Sequence, residues 1–306
     1  MLTSNGLRQR SDLLQSIRTF FFDSGYIEVD TPVCLPALLP ESHLIPFAGN
    51  GWFLQTSPEL CMKRLLARGC TRIFQICHCF RQEESGRLHQ PEFTMLEWYH
   101  HGQDYAYLMR QCEALLGHLN RTVPHLPGFE GTDRLCWNDC SISLAPPWER
   151  LTVAEAFRHY AGVEVDWALS KGMFDEILVT QIEPCLGREC PVFLYEYPVE
   201  LGSLARGCRD NPKVAERFEL YMAGVELANG FSELVDVEEQ RRRFAVEIEK
   251  LRLEGQEAAM PEAFLADLGK IDEAAGIALG LDRLGMLLLG RSSINEAMPF
   301  IFEELK

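Results

Sequence analysis

Several things are scarce or missing in this chain, and each closes off a class of function. Basic residues are few, 29 Lys and Arg against 45 Asp and Glu, for a net charge of −16. A surface that grips nucleic acid needs clustered cations to neutralise phosphates, so a broad nucleic-acid-binding face is excluded and only a local basic patch is left open. Long apolar runs are missing too. The most apolar stretch, 274–290, is broken by Asp282 and Arg283, so the chain is not expected to span a membrane. No secretory leader is visible, because Arg8 and Arg10 run into Ser11 and Asp12 rather than an apolar segment. No glycine fingerprint follows the first strand pattern, which removes a Rossmann domain. The 11 cysteines are scattered. Cys136 with Cys140 and Cys185 with Cys190 are the only pairs worth a metal hypothesis, and neither has the usual zinc interval. Reduced thiols in a cytoplasmic protein are what this usage predicts.

What is present fits a globular protein: 306 residues, 47% hydrophobic and 24% charged. A single domain over 1–306 is expected, with about 120–190 as an insertion-like segment. Apolar spacing predicts a helix over 11–24, stopped by Gly25, and a strand over 26–32 that ends at Pro32. A strand over 51–56 leads into Ser57-Pro58-Glu59, which reads as an N-cap, a proline at the first helical position and an acid in the first turn of a helix reaching 69. Strands over 72–83 and 92–100 flank a polar loop, 84–91, and a helix over 105–119 follows. Residues 122–150 read as irregular, Thr152 and Glu155 as a capping box opening a helix to 160, and 191–198 as an aromatic strand. Strands interrupted at Gly224 span 217–231, a charged helix spans 238–253, and a strand-to-helix unit spans 276–290. Hairpin-joined strands separated by helices predict an α+β fold with an antiparallel sheet flanked by helices.

Along the first long strand, alternation puts Cys77, Cys79, Arg81 and Glu83 on one face and Phe74, Ile76, His78 and Phe80 on the other. His78 therefore reads as a core histidine, and His100 and His101 as surface residues after the returning strand. On that strand Phe93, Met95, Glu97 and Tyr99 share a face. One side of the hairpin thus offers an arginine, acids, a phenol and a phenyl ring. A surface face with ordinary ion pairs would look the same, but the order Arg81-x-Glu83, His89, Phe93 is more specific. It resembles motif 2 of the class II aminoacyl-tRNA synthetases. The resemblance implies that Arg81 neutralises the α-phosphate of ATP, Phe93 stacks on adenine, Glu83 accepts from the adenine amino group and His89 reaches the outer phosphates. A planar guanidinium and a ring face suit those tasks.

Gly276-Ile-Ala-Leu-Gly280-Leu-Asp-Arg283 resembles motif 3, in which small residues line a strand under the nucleotide and Arg283 packs against adenine and the γ-phosphate. Two glycines weaken a strand unless something must approach closely. The stretch from Glu219 through Glu226 and Asn229 to Glu233 is similar to lysyl-tRNA synthetases, where two glutamates hold Mg2+ on ATP and the last receives the substrate's side-chain ammonium. Glu219 and Glu226 differ in strand parity, so a bulge or turn at Gly224 must bring them together. The resemblance also puts Gln90, Leu227, Asn229 and Gly280 at the nucleotide. It puts Ser57, Pro58, Glu59, Glu97, Tyr99, Glu233 and Ala278 at the substrate, Glu59 on the α-amine. Residues 25–32 resemble motif 1, which implies a homodimer.

Departures narrow the choice. The chain begins almost directly at the catalytic domain, with no room for an anticodon-reading domain. Ala278 stands where lysyl-tRNA synthetases usually have glycine, and Val225 where they usually have arginine. With 93–99 and 226–231, these features resemble the elongation factor P lysine ligases. That family implies ATP-dependent adenylation of (R)-β-lysine or lysine and transfer to a lysine ε-amine of elongation factor P, with no tRNA acceptor and no covalent enzyme intermediate. The residues favour a basic substrate on their own, since Glu59, Glu97, Glu233 and Tyr99 leave uncompensated acid unless a diammonium ligand enters. An asparagine synthetase of this class would need a basic pocket instead. A stand-alone synthetase acting on tRNA, and a non-catalytic regulatory paralogue, are the alternatives; a full set of motif residues favours catalysis.

Overall fold

The computed structural model describes residues 2–131, 133–256, 258–301 and 304. Its centre is an eight-stranded sheet of β1 (Ile27–Glu28), β2 (Arg72–Phe80), β3 (Glu92–His101), β4 (Glu149–Thr152), β5 (Val192–Tyr195), β6 (Arg217–Met222), β7 (Val225–Ser232) and β8 (Ala274–Gly280). The order across the sheet is β1-β2-β3-β8-β7-β6-β5-β4. The six inner strands pair antiparallel, as the hairpin pattern predicts, while β1 and β4 pair parallel at the two edges. Parallel pairing needs a crossover, and both edge strands reach their partners only after a segment containing helix.

Helices cover both faces. On one face α1 (Ser4–Asp23), α3 (Tyr105–Thr122) and α6 (Leu281–Leu288) set Leu13, Ile17, Phe21, Leu115 and Leu284 against Phe74, Leu96, Trp98 and Ile277. On the other, α2 (Glu59–Leu66), α4 (Val237–Leu253) and α5 (Glu262–Leu268) bring Met62, Leu66, Phe244 and Phe264 onto Ile73 and Tyr99. The alternation of β3 is thus obeyed: Leu96 and Trp98 enter one core, while Met95, Glu97 and Tyr99 face away from it.

Three expectations are corrected. Helix α1 starts at Ser4 with Thr3 as its cap, earlier than expected, because its first half carries no apolar stripe to read. Residues 122–150 are not irregular. Phe129–Glu130, Arg134–Trp137 and Cys140–Ser143 form a small sheet whose Leu135, Trp137 and Ile142 join the main core. Strands of two to four residues are too short to display alternation. The two histidine readings fail as well. The His78 side chain is 62% exposed, 2.9 Å from Glu92, because β2 runs past the edge of the core its face packs on. His100 is buried inside β3, its ring edge-on to Tyr107 and Tyr26.

The capping box does form: Thr152 Oγ1 accepts from Glu155 N and Glu155 accepts from Thr152 N. Residues 153–186 build their own apolar cluster, including Phe157, Phe174 and Ile182, against Val192 and Leu194 of β5.

Candidate active site

The inner strands and their flanking loops enclose a cavity of about 420 Å³. Its two ends differ in chemistry. At one end stand Arg81, Glu84, His89, Gln90, Phe93 and Arg283. The Arg81 guanidinium lies 5.1 Å from the centre of the Phe93 ring, with Nη1 donating to Glu84 at 3.1 Å and Nε buried without a partner. Arg283 donates to the Glu226 carboxylate at 3.1 Å, and its Nη2 sits 2.6 Å from His89 Nε2. Burial, then the arginine beside it, lowers the His89 pKa. Arg283 is free for this because Asp282 points the other way, to Arg10 at 2.5 Å and Thr94 N at 2.6 Å. Gln90 is buried and donates to Asn295 at 2.7 Å. Glu83 is exposed and does not line the cavity; Glu84 takes the place beside Arg81.

The middle is built by the β6–β7 hairpin. Ala223 and Gly224, at φ 52° and 74°, make a two-residue turn that pairs Met222 with Val225 and Tyr221 with Glu226. Across such a turn Glu219 and Glu226 fall on one face, so the expected alignment does occur. The register then shifts at Leu220/Tyr221, which sets Asn229 opposite Glu219. Glu219, Glu226, Leu227 and Asn229 all line the cavity. Glu219 accepts from Tyr197 OH at 2.5 Å, Tyr221 OH at 2.7 Å and Arg217 Nη2 at 2.7 Å. Burial, then the neighbouring Glu226, raises its pKa. Sequence patterning does not reveal Tyr197 or Arg217 as its partners.

The other end is acidic, with Glu97 and Tyr99 buried. Ser57, Glu59, Glu97, Tyr99 and Ala278 line it. Glu97 accepts from Ser57 OH at 2.7 Å and from Tyr99 OH at 2.5 Å. Pro58 precedes α2, and Ser57 Oγ accepts from Glu59 N at 3.0 Å, so the Ser-Pro-Glu turn aims Glu59 inward. Glu233 lies one layer behind, 2% exposed, and its Oε1 has no hydrogen-bond partner. A Cβ at Gly276 would come 2.5 Å from that oxygen and 2.2 Å from Tyr99, so here glycine is required by close approach. Gly280 has no such crowding; it lines the cavity beside Arg283. Burial, then Glu59, pushes Glu97 up to about 8. Burial, only partly offset by Lys63, pushes Glu233 up to about 8 as well.

Lys63 is the residue the sequence patterns do not single out. Its Nζ sits 2.5 Å from Glu59 and 2.5 Å from Glu233, with the side chain 2% exposed. Its place one helical turn after Glu59 is the signal that was available.

Two comparisons bear on this geometry. The family profile of class II tRNA synthetases (D, K and N) matches residues 2–303. The chain is 38% identical to the elongation factor P–(R)-beta-lysine ligase of Edwardsiella ictaluri (strain 93-146), over 96% of this chain and 94% of the relative. It is 37% identical to the enzyme of the same name from Salmonella gallinarum (strain 287/91 / NCTC 13346), with the same coverage. The chain belongs to the class II tRNA synthetases of the D, K and N type, in the branch of the elongation factor P–(R)-β-lysine ligases.

Proposed function

We propose that the protein activates (R)-β-lysine, or lysine, with ATP and transfers it to a lysine ε-amine of elongation factor P. One observation carries the reading: a single cavity holds arginines and a phenyl ring at one end and buried carboxylates at the other. Family membership supports the same chemistry.

In the first step the substrate carboxylate attacks the α-phosphate and pyrophosphate leaves. Arg81 would neutralise that phosphate, with Phe93 under the adenine and Arg283 and His89 toward the outer phosphates. Gln90, Leu227, Asn229 and Gly280 shape the rest of the nucleotide's bed, while Glu83 would have to turn inward to reach the adenine. Glu219 and Glu226, on one face of the hairpin, would hold Mg2+, which would supply further charge neutralisation there. At the acidic end Ser57 and Pro58 set Glu59 for the amine next to the carboxylate, and Glu97, Tyr99 and Glu233 receive the distal ammonium. In the second step the acceptor amine attacks the adenylate carbonyl and AMP departs.

A homodimer is part of the reading. The exposed Ile27 and Phe22 at the β1 edge support it, each more than half accessible. Among the described residues no helix is long and apolar enough to cross a membrane; a cytoplasmic location and the absence of a tRNA acceptor are proposed with the function. The test is pyrophosphate release with (R)-β-lysine, lysine or aspartate, and labelling of elongation factor P against tRNA. Release with a basic substrate and labelling of the protein alone are expected. Charging of tRNA would make this a minimal synthetase, and no release with any substrate would make it a regulatory paralogue.

A further inference from the structure

The acidic end of the cavity holds a cation of its own. Lys63 bridges the Glu59 and Glu233 carboxylates, which come from different elements, α2 and the segment after β7. The ring of Phe231 lies under the ammonium, 5.3 Å from Nζ to its centre. Each acid gives one oxygen to Lys63, and Glu233 keeps its other oxygen buried and unpartnered beside Gly276. Glu59, Glu97 and Glu233 thus face one resident ammonium. An uncompensated carboxylate in such a place is strongly disfavoured. A ligand carrying two ammonium groups brings the cations beside Glu59, Glu97 and Glu233 to three; the fourth acid, Glu41 at the cavity wall, feels Arg81 ahead of Lys63.

We propose that Lys63 is a positioning residue, a built-in third ammonium that holds Glu59 and Glu233 together and sets at two the number of positive charges the amino acid must bring. This rests on the reading of the site as a lysine or β-lysine subsite. It gives selectivity a basis beyond contact: a ligand with one ammonium leaves a carboxyl that must stay protonated, and one with three leaves a cation unpaired. The groups facing this cluster are Glu59 on α2, Glu97 and Tyr99 on β3, Glu233 after β7, and Glu41 and Arg81 at the cavity wall. Burial works against the charge on Lys63, yet Glu233 and Glu59 hold its ammonium above the ordinary lysine value.

The experiment compares wild type, Lys63→Met and Lys63→Arg in pyrophosphate exchange from pH 6 to 9, with lysine and (R)-β-lysine as substrates. Lys63→Met is expected to raise KM for both substrates by at least about tenfold, leaving the KM for ATP within about twofold. The pH at which the amino-acid KM levels off should move up by about one unit, because three acids lose their shared cation. Lys63→Arg, which keeps the charge, should recover most of the loss. A Lys63→Met enzyme with unchanged amino-acid KM and unchanged pH profile would overturn the proposal. So would a loss spread equally over ATP and amino acid that Lys63→Arg does not recover, since that is what simple misfolding produces. Should Lys63→Met not fold, calorimetry on wild type decides: lysine binding at pH 7 should release protons as Glu97 and Glu233 ionise, and no release overturns the charge count. If wild type activates neither lysine nor β-lysine, it is the reading of the site that falls; if wild type is active and the variants match it, only the role of Lys63 falls.

Discussion

The two ends of the cavity solve the same problem, charge in a confined space, in opposite ways. At the proposed nucleotide end each cation has an acid and a ring beside it: Arg81 rests on Glu84 and Phe93, Arg283 on Glu226 and His89. These are partly exposed groups that can exchange a carboxylate for a phosphate with little rearrangement. At the proposed amino-acid end acids are in excess and buried, with Lys63 shared between Glu59 and Glu233 and Ser57 meeting Glu97. The first end is preformed for an anion. The second crowds like charges around Lys63, and in the proposed reading a diammonium ligand would relieve them.

The sharpest way to break this contrast is at Gly276. An alanine there would place Cβ 2.2 Å from Tyr99 and 2.5 Å from Glu233, and both side chains belong to the acidic end. Gly276→Ala is expected to abolish amino-acid-dependent pyrophosphate exchange, a loss of at least about a thousandfold, and to lower stability by about 1–3 kcal/mol. ATP binding measured by calorimetry should stay within a few-fold. If ATP binding fell equally, the two ends would not be separable.

Glu233→Gln comes next. It leaves Lys63 with Glu59 alone and removes the unpartnered oxygen, and breaking a buried charge pair costs about 3–5 kcal/mol. KM for lysine should rise by at least about a hundredfold, against little change for ATP. Equal losses for both substrates would remove Glu233 from the subsite. Phe93→Leu tests the opposite end: losing a stacking face worth about 1–3 kcal/mol should raise the KM for ATP roughly tenfold and spare lysine.

The contrast also separates what the sequence made legible from what it hid. Arg81, His89, Phe93 and Arg283 belong to short stretches with fixed internal spacing, and all four line the cavity. Glu59, Glu97 and Glu233 could be named as acids but not as a cluster with a lysine, because Lys63 and Glu233 are brought together only by tertiary packing of α2 on the sheet. Five of the inner strands were readable because each, at six residues or more, is long enough to alternate, and the four-residue β5 showed instead as an aromatic run. The small sheet within 129–143 was not, nor the exposure of His78, since alternation assigns a face without saying where the core ends.

A smaller effect is expected from pH alone. Glu97 and Glu233, pushed up to about 8, keep their protons in the empty site at neutral pH, whereas ordinary glutamates lose them near ~4.3. A carboxyl whose folded value lies above its unfolded one stabilises the fold below the unfolded value, and that contribution is lost as pH rises through the folded value. The empty protein should therefore lose melting temperature between about pH 5 and pH 8. A diammonium ligand ionises the same acids, so KM for lysine should fall as pH rises from 6 to 8 while KM for ATP stays flat. A lysine KM that is flat across this range would show that the acids are already ionised.

The smallest effect concerns Ala278, whose Cα pairs with Glu97 on one side and Asn229 on the other, where the two ends of the cavity meet. Its methyl, like the Phe93 ring, packs against the cluster of Cys77, Cys79 and Met95. Ala278→Gly therefore alters shape and not electrostatics. Removing one methyl is worth about 1 kcal/mol, so the ratio of (R)-β-lysine to lysine activation should shift by about fivefold at most, with little change in ATP. A ratio that does not move would assign the discrimination between isomers to the acids, since the position of the ammonium groups would then decide the fit and the pocket wall would not. A ratio that moves as ATP binding stays constant would place isomer selection at this seam, where a shape difference of one carbon can be felt by the reacting carboxylate without disturbing the charge count behind it.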